Sequence, residues 1–250
     1  SDGVVGAQAW AALFDGRTQD GGDDLAAATV EKRCLALTGG FETGCGFPDC
    51  FAGLSGDFDG QGLSFGVAQW NLGQGSLQPL LQEALAEYPE VMAAVFHDHL
   101  LALQAMLEDG RDEQLAFARS IQQPLQHWLY EPWRGMFKAL GRTRQFQDTQ
   151  LRHAGRLFDG AKDLVRRFGL RSQRGLALMF DILVQNGSIA KVTAARIDAD
   201  MAGLAAGLEA SAREVAVMRI VAERRAEAAK AEWRADVRAR KLCIAEGPGR

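Results

Sequence analysis

The chain has 250 residues, 47% apolar and 24% charged, an ordinary globular composition with length for one large domain or two small ones. Its 28 basic residues against 32 acidic ones leave a formal net charge of −4, which offers no basic face to nucleic acid and only faint attraction to a polycation. No apolar run approaches the roughly 20 residues that span a bilayer, so no membrane span is expected. The first residues lack the basic, apolar and small-residue order of a signal peptide. The abrupt opening and the Gly-Pro-Gly tail suggest a piece of a longer protein.

In chain order, residues 1–22 read as a short helical remnant followed by a linker, with turn chemistry at Asp15-Gly16 and Asp20-Gly21-Gly22. A helix is expected from Leu25, capped by Asp23 or Asp24, carrying Ala28, Val30, Cys34 and Leu35 and stopping at Gly39-Gly40. The texture then changes. Eleven glycines fall in the 37 residues from Gly39 to Gly75, and Leu63-Ser64-Phe65-Gly66-Val67 reads as strand of a small hairpin or sheet. After Ser76 the spacing predicts helices over 76–86, 89–108, 112–130, 133–145, 147–169 and 173–186, with a long one from about 208 to 241. The mixed charges of that last helix read as a solvated face with i,i+4 pairs. The expected fold class is mainly α (α+β): a helical bundle whose small glycine-rich β-hairpin or sheet, in the N-terminal third, forms one wall of a cleft. Residues 23–250 read as one domain.

Four cysteines, Cys34, Cys45, Cys50 and Cys243, allow three pairings. Cys45 and Cys50 share one short loop, so a local disulfide is sterically permitted; four free thiols is the other reading. The spacing points to no metal and no cofactor. Cys-x4-Cys has no second ligand pair, and His97 and His99, two apart, face different ways on a helix.

A helical protein that concentrates glycine in one segment invites a search for function there. The segment carries Glu42 beside Phe41 at a helix end, then Asp57 and Asp59, 15 and 17 residues on. Glycoside hydrolysis needs one carboxylic acid to protonate the leaving oxygen and one carboxylate to activate water or stabilise the transition state. Burial beside Phe41 and the negative end of the helix dipole would favour Glu42 as the neutral acid. Asp57 and Asp59, among exposed amides and water, would stay ionised. Extended, the stretch from Glu42 to Asp59 could span about 50 Å. Only a hairpin folded back over the helix end brings the carboxylates to the roughly 6–10 Å used by inverting enzymes. The competing reading is structural: Glu42 caps a loop and the aspartates make Asx-turns.

Phe41-Glu42 followed by Asp59-Gly60-Gln61-Gly62-Leu63-Ser64-Phe65-Gly66 resembles the chitosanase branch of the lysozyme superfamily. The resemblance implies a lysozyme-like fold, Glu42 as general acid, Asp59 as general base and the Ser64 hydroxyl as holder of the attacking water. Asp57 competes with Asp59, because the match allows a small slip. The stretch from Ala177 to Gly187, with Asp181, Gln185 and Asn186, resembles a cleft helix of that group. Gly66-Val-Ala-Gln-Trp-Asn71 departs from the usual continuation, so the resemblance does not carry chitosan as the substrate. Asp2-Gly-Val-Val-Gly6-Ala-Gln-Ala-Trp10-Ala-Ala-Leu13 resembles the closing motif of a three-helix peptidoglycan-binding module, which turns the expected substrate to cell wall. Trp70 could stack on a pyranose or sit in the core, and Gln61, Gln69, Asn71 and Gln185 offer amides to sugar hydroxyls. Trp10, Trp128, Trp133 and Trp233 are assigned to packing.

The expected function is thus a peptidoglycan hydrolase of muramidase type that cleaves the glycan strand by inversion. It would act in the bacterial periplasm, in the wall or outside the cell, as a lytic toxin or an endolysin. A cognate immunity protein is the expected partner of a toxin. The alternatives are a chitosanase, a lytic transglycosylase with a single catalytic glutamate, and an inactive wall-binding module.

Overall fold

The computed structural model describes residue 25 and residues 27–247. The supposed binding-module remnant over 1–22, with Trp10, and the helix caps Asp23 and Asp24 lie outside the described residues. The chain divides into two compact units, the first ending at His153 and the second beginning at Ala154, where the sequence reads as one domain.

In the first unit, α1 (Val30–Thr43) begins after Thr29, whose Oγ1 accepts the Lys32 N–H at 3.2 Å, rather than at Leu25. It also runs through Gly39-Gly40 instead of stopping there. The reason is tertiary: a Cβ on Gly39 would lie 2.0 Å from Val67 Cγ2, so this glycine is where helix and loop touch. That close packing offsets a propensity cost of about 1 kcal/mol. The helix ends at Gly44, whose φ of 68° suits glycine and whose N–H bonds the Gly40 carbonyl at 3.0 Å.

Strands β1 (Leu54–Ser55), β2 (Ser64–Phe65) and β3 (Trp70–Asn71) form an antiparallel sheet in that order. The register aligns Leu54, Phe65 and Trp70 in one cross-strand row and Ser55, Ser64 and Asn71 in the next. Alternate residues face opposite sides of a sheet, so the first row packs on the core and the second stays polar. Phe65 is fully buried, its ring 5.1 Å from Phe137 and 5.4 Å from Phe146. The fold is mainly helical with a small sheet, as the sequence predicts.

The core beneath the sheet is built by α2 (Gln78–Glu87), α3 (Pro89–Phe96), α4 (Leu100–Glu108), α5 (Arg111–Ser120), α6 (Trp133–Arg142) and α7 (Arg144–His153). The helix expected over 89–108 breaks at His97, φ 45°, at the start of the polar run His97-Asp98-His99. The one expected over 112–130 ends at Ser120. Pro124 has no backbone N–H to continue it, and the chain turns back through a Gln122–Leu129 bridge. Trp128 on that turn is exposed rather than packed, its indole N–H donating to Gln126 Oε1 at 2.8 Å.

The second unit contains α8 (Gly155–Arg167), α9 (Gln173–Asn186), α10 (Lys191–Ala202), α11 (Ala210–Glu227) and α12 (Arg234–Glu246). Helix α9 has the expected bounds, whereas α10 stands where the sequence reading assigns none. The long helix expected over 208–241 is folded into the pair α11–α12. Arg219–Glu246 at 2.6 Å and Arg238–Glu223 at 2.7 Å show the pair to be antiparallel. A single helix of that length would extend about 50 Å and leave one apolar face in water. Folding back buries Val217, Val221 and Ala222 in the unit that holds Val237 and Ile244. Trp233, in the short turn between the two helices, is exposed rather than packed.

All four cysteines are free; Cys34 and Cys50 are buried and Cys45 and Cys243 exposed. Among the described residues no helix is long and apolar enough to cross a membrane, and no group of three or more His, Cys, Asp or Glu could hold a metal.

Candidate active-site cleft

A cleft of about 370 Å³ opens in the first unit, a size that suits a small ligand or a segment of a polymer. The last turn of α1 gives it Glu42. A short 3-10 turn, Asp49–Ala52, gives Asp49; β1 gives Ser55; the turn before β3 gives Gln69; and α6 gives Lys138 and Arg142.

Several of these side chains are set by local structure. Thr43 Oγ1 donates to the Gly39 carbonyl at 2.7 Å and accepts the Cys45 N–H at 3.2 Å, which fixes the helix end that carries Glu42. Phe41 and Glu42 are both exposed, so the expected burial of the acid is not observed. The last turn of α1 projects past the contact of Gly39 with Val67 into the cleft. Helix α6 approaches the 3-10 turn at Gly141, where a Cβ would fall 2.6 Å from Ala52 Cα. That approach lets Arg142 Nε donate to Asp49 Oδ1 at 2.7 Å. Lys138, one turn earlier, is half-buried and makes no ion pair or hydrogen bond among the described residues.

Gln69 is held three times. Its backbone N–H and its Nε2 donate to the Gly66 carbonyl at 3.1 and 2.9 Å, and its Oε1 accepts the Ser55 hydroxyl at 2.9 Å. Its φ of 50° lies in the left-handed region. Behind this turn Gln150 of α7 is fully buried. Its Oε1 accepts the Val67 N–H at 2.8 Å and its Nε2 donates to the Phe51 carbonyl at 3.0 Å. One buried amide therefore ties both loops of the cleft together.

The aspartates lie elsewhere. Asp59 is exposed and its Oδ1 accepts the Gln61 N–H at 3.1 Å, an Asx-turn. Asp57 is buried. Its Oδ1 accepts the Gly62 N–H at 2.9 Å, its own N–H donates to Gln122 Oε1 at 2.9 Å, and its Oδ2 stands 4.0 Å from Arg119. Gln61 Oε1 accepts from Arg111 at 3.1 Å. The Asp57–Gly62 loop is thus anchored on α5, whereas the cleft is walled by α1 and α6. Neither aspartate lines the cleft, and neither does Ser64, whose Oγ accepts Asn71 Nδ2 at 3.0 Å one strand behind Ser55. Asn71 is buried and also caps its turn by accepting the Gln74 N–H at 2.9 Å. Trp70 is half-buried and packs against the core. Gln185 belongs to the second unit, where its Oε1 accepts from Lys241 Nζ at 2.6 Å.

Of the residues predicted from sequence, the structure brings together Glu42 and Gln69. It adds Ser55, Asp49, Lys138 and Arg142. Lys138 and Arg142 had a sequence signal only as the polar face of an amphipathic helix opposite Trp133, Met136, Phe137 and Leu140. Asp49 had none. Neither protein-family models nor curated proteins give a match to this chain.

Proposed function

We propose that this chain is a peptidoglycan hydrolase, a glycosidase of the bacterial cell-wall glycan strand with Glu42 as its acid. The observation that supports it is Glu42 in the last turn of a helix, lining a sheet-walled cleft that also holds the Ser55–Gln69 pair. A carboxylic acid there can protonate the glycosidic oxygen as the C1–O bond breaks and the leaving sugar departs as an alcohol. The hydroxyl and amide of the sheet wall suit sugar hydroxyls. In the muramidase reading a water attacks C1 and gives its proton to a carboxylate; Asp59, Asp57 and Ser64, expected from sequence for that step, do not line the cleft. The wall as substrate rests on the likeness of residues 2–13 to a wall-binding motif. A cognate immunity protein is the partner expected if the parent protein is a toxin.

A second reading, a lytic transglycosylase, is favoured by one observation: neither aspartate lines the cleft, and the Asp57 carboxylate is committed to Gly62. Here a hydroxyl of the same sugar attacks C1 and returns its proton to the Glu42 carboxylate, leaving an anhydro-sugar. Mass spectrometry of the fragments separates the two, because hydrolysis adds one water per cut and transglycosylation adds none.

Glu42→Gln is expected to melt at the wild-type temperature and to lose at least about a hundredfold in turnover of purified sacculi. Wild-type turnover by that variant removes Glu42 from the chemistry. Cleavage of chitosan instead of sacculi identifies a chitosanase, and binding of sacculi without released fragments identifies an inactive wall-binding module.

A further inference from the structure

The charges around the cleft are not balanced in the state the chemistry needs. Asp49 and Arg142 neutralise each other at 2.7 Å. Arg142 makes that bond through Nε, and its terminal nitrogens make none among the described residues. Lys138 stands four residues before Arg142, so the two side chains are neighbours on one helix face. Half-buried in the cleft wall, Lys138 has no counter-ion among the described residues. A half-buried lysine lays its stem along the protein and keeps its ammonium in water, where an anionic ligand can reach it. When Glu42 carries the proton it must donate, the cleft holds one anion, Asp49, against two cations, Lys138 and Arg142.

We propose that Lys138, together with the terminal nitrogens of Arg142, forms an anion subsite in the Glu42 cleft that takes a carboxylate carried by the glycan strand. The peptide stems of cell-wall glycan carry such carboxylates, whereas chitosan presents ammonium groups that this wall repels. The charge count in the protonated state rests on the glycosidase reading; the unpaired, half-buried Lys138 does not. Its role is recognition rather than bond breaking, so it bears on KM and leaves kcat unchanged.

The test uses soluble, uncrosslinked peptidoglycan strands, untreated or with their carboxylates converted to amides. For wild type, amidation is expected to raise KM about tenfold, the size of one charge-assisted bond, with kcat preserved. Lys138→Met is expected to show that raised KM on both preparations, and Lys138→Arg to restore the difference. Lys138→Gln replaces the Met variant if the latter does not fold. A wild-type KM indifferent to amidation, or a Lys138→Met enzyme that still distinguishes the two strands, overturns the subsite. If neither strand is turned over, the glycosidase reading fails separately. Titrating both strands into wild type and Lys138→Met then decides the subsite: tighter binding of untreated strands by wild type alone upholds it, and equal binding by wild type overturns it.

Discussion

Gln69 holds a backbone conformation that costs an L-residue about 1–2 kcal/mol, and three hydrogen bonds keep it there. Strain held in place at a cleft wall fixes one amide direction, which fits a polar contact to substrate. The buried thiols are a second residue-scale feature. Burial pushes both Cys34 and Cys50 up to about 12 from an ordinary 9.0. The folded chain therefore keeps these protons where the unfolded chain has released them. Their contribution to stability is whole below pH 9.0 and is lost as pH rises from there toward about 12. Cys34→Ala should lower stability at pH 7 through lost packing, yet show a shallower decline between pH 9 and 10.5, measured by urea melts in the presence of reductant. An unchanged slope would mean that Cys34 is not shielded as described. At this scale Glu42 and Gln69, both singled out from sequence, line one cleft, but their neighbours there were not singled out. Lys138 and Asp49 lie 96 and 89 residues apart from Glu42 and Lys138 respectively, and no local pattern records such a meeting.

At the scale of elements, the two glycines of α1 have opposite roles. Ala is favoured over Gly in a helix by about 1 kcal/mol. At Gly40 the nearest atom to an added Cβ is the Cys45 carbonyl oxygen at 3.6 Å, ordinary contact. Gly40→Ala should therefore stabilise by up to about 1 kcal/mol. At Gly39 the same Cβ meets Val67 Cγ2 at 2.0 Å and Cys50 Cβ at 3.3 Å, inside a buried contact with a stiff β-branched side chain. Overpacking costs about 1–3 kcal/mol, so Gly39→Ala should be destabilising despite the better propensity. Denaturant melts of the two variants should move in opposite directions; equal shifts would refute the contact. The same contact explains why the sequence stopped this helix three residues early. Gly-Gly is read as a terminator, and only the docked loop shows that the first glycine is there for space. Pro124, by contrast, was a legible local reason to end the helix over 112–130.

At the scale of the whole molecule, each unit buries charge differently. In the second unit Asp181 is fully buried and paired with Arg240 and Lys241, the shorter Arg240 bond being 2.6 Å. Burial of the ammonium lowers Lys241 to about 8 from 10.5, against the pull of Asp181. The penalty for charging it is present below about 8 and is relieved as pH rises to 10.5, where the unfolded chain in turn releases its proton. Lys241→Met should therefore remove a component of stability that rises between those pH values in wild type, an effect opposite in sign to that of the thiols. An identical pH slope in wild type and variant would contradict it. The amino-acid sequence by itself determined the class: helical periodicity, the glycine-rich insertion that becomes a sheet, and the glutamate at a helix end are all local patterns of spacing and backbone freedom. Only the tertiary structure decided where helices fold back, that the chain divides after His153, and which side chains share the cleft with Glu42. The aspartates and the amides look alike in sequence. Their roles depend on whether the docked loops turn them toward the cleft, as for Gln69, or commit them to backbone amides, as for Asp57.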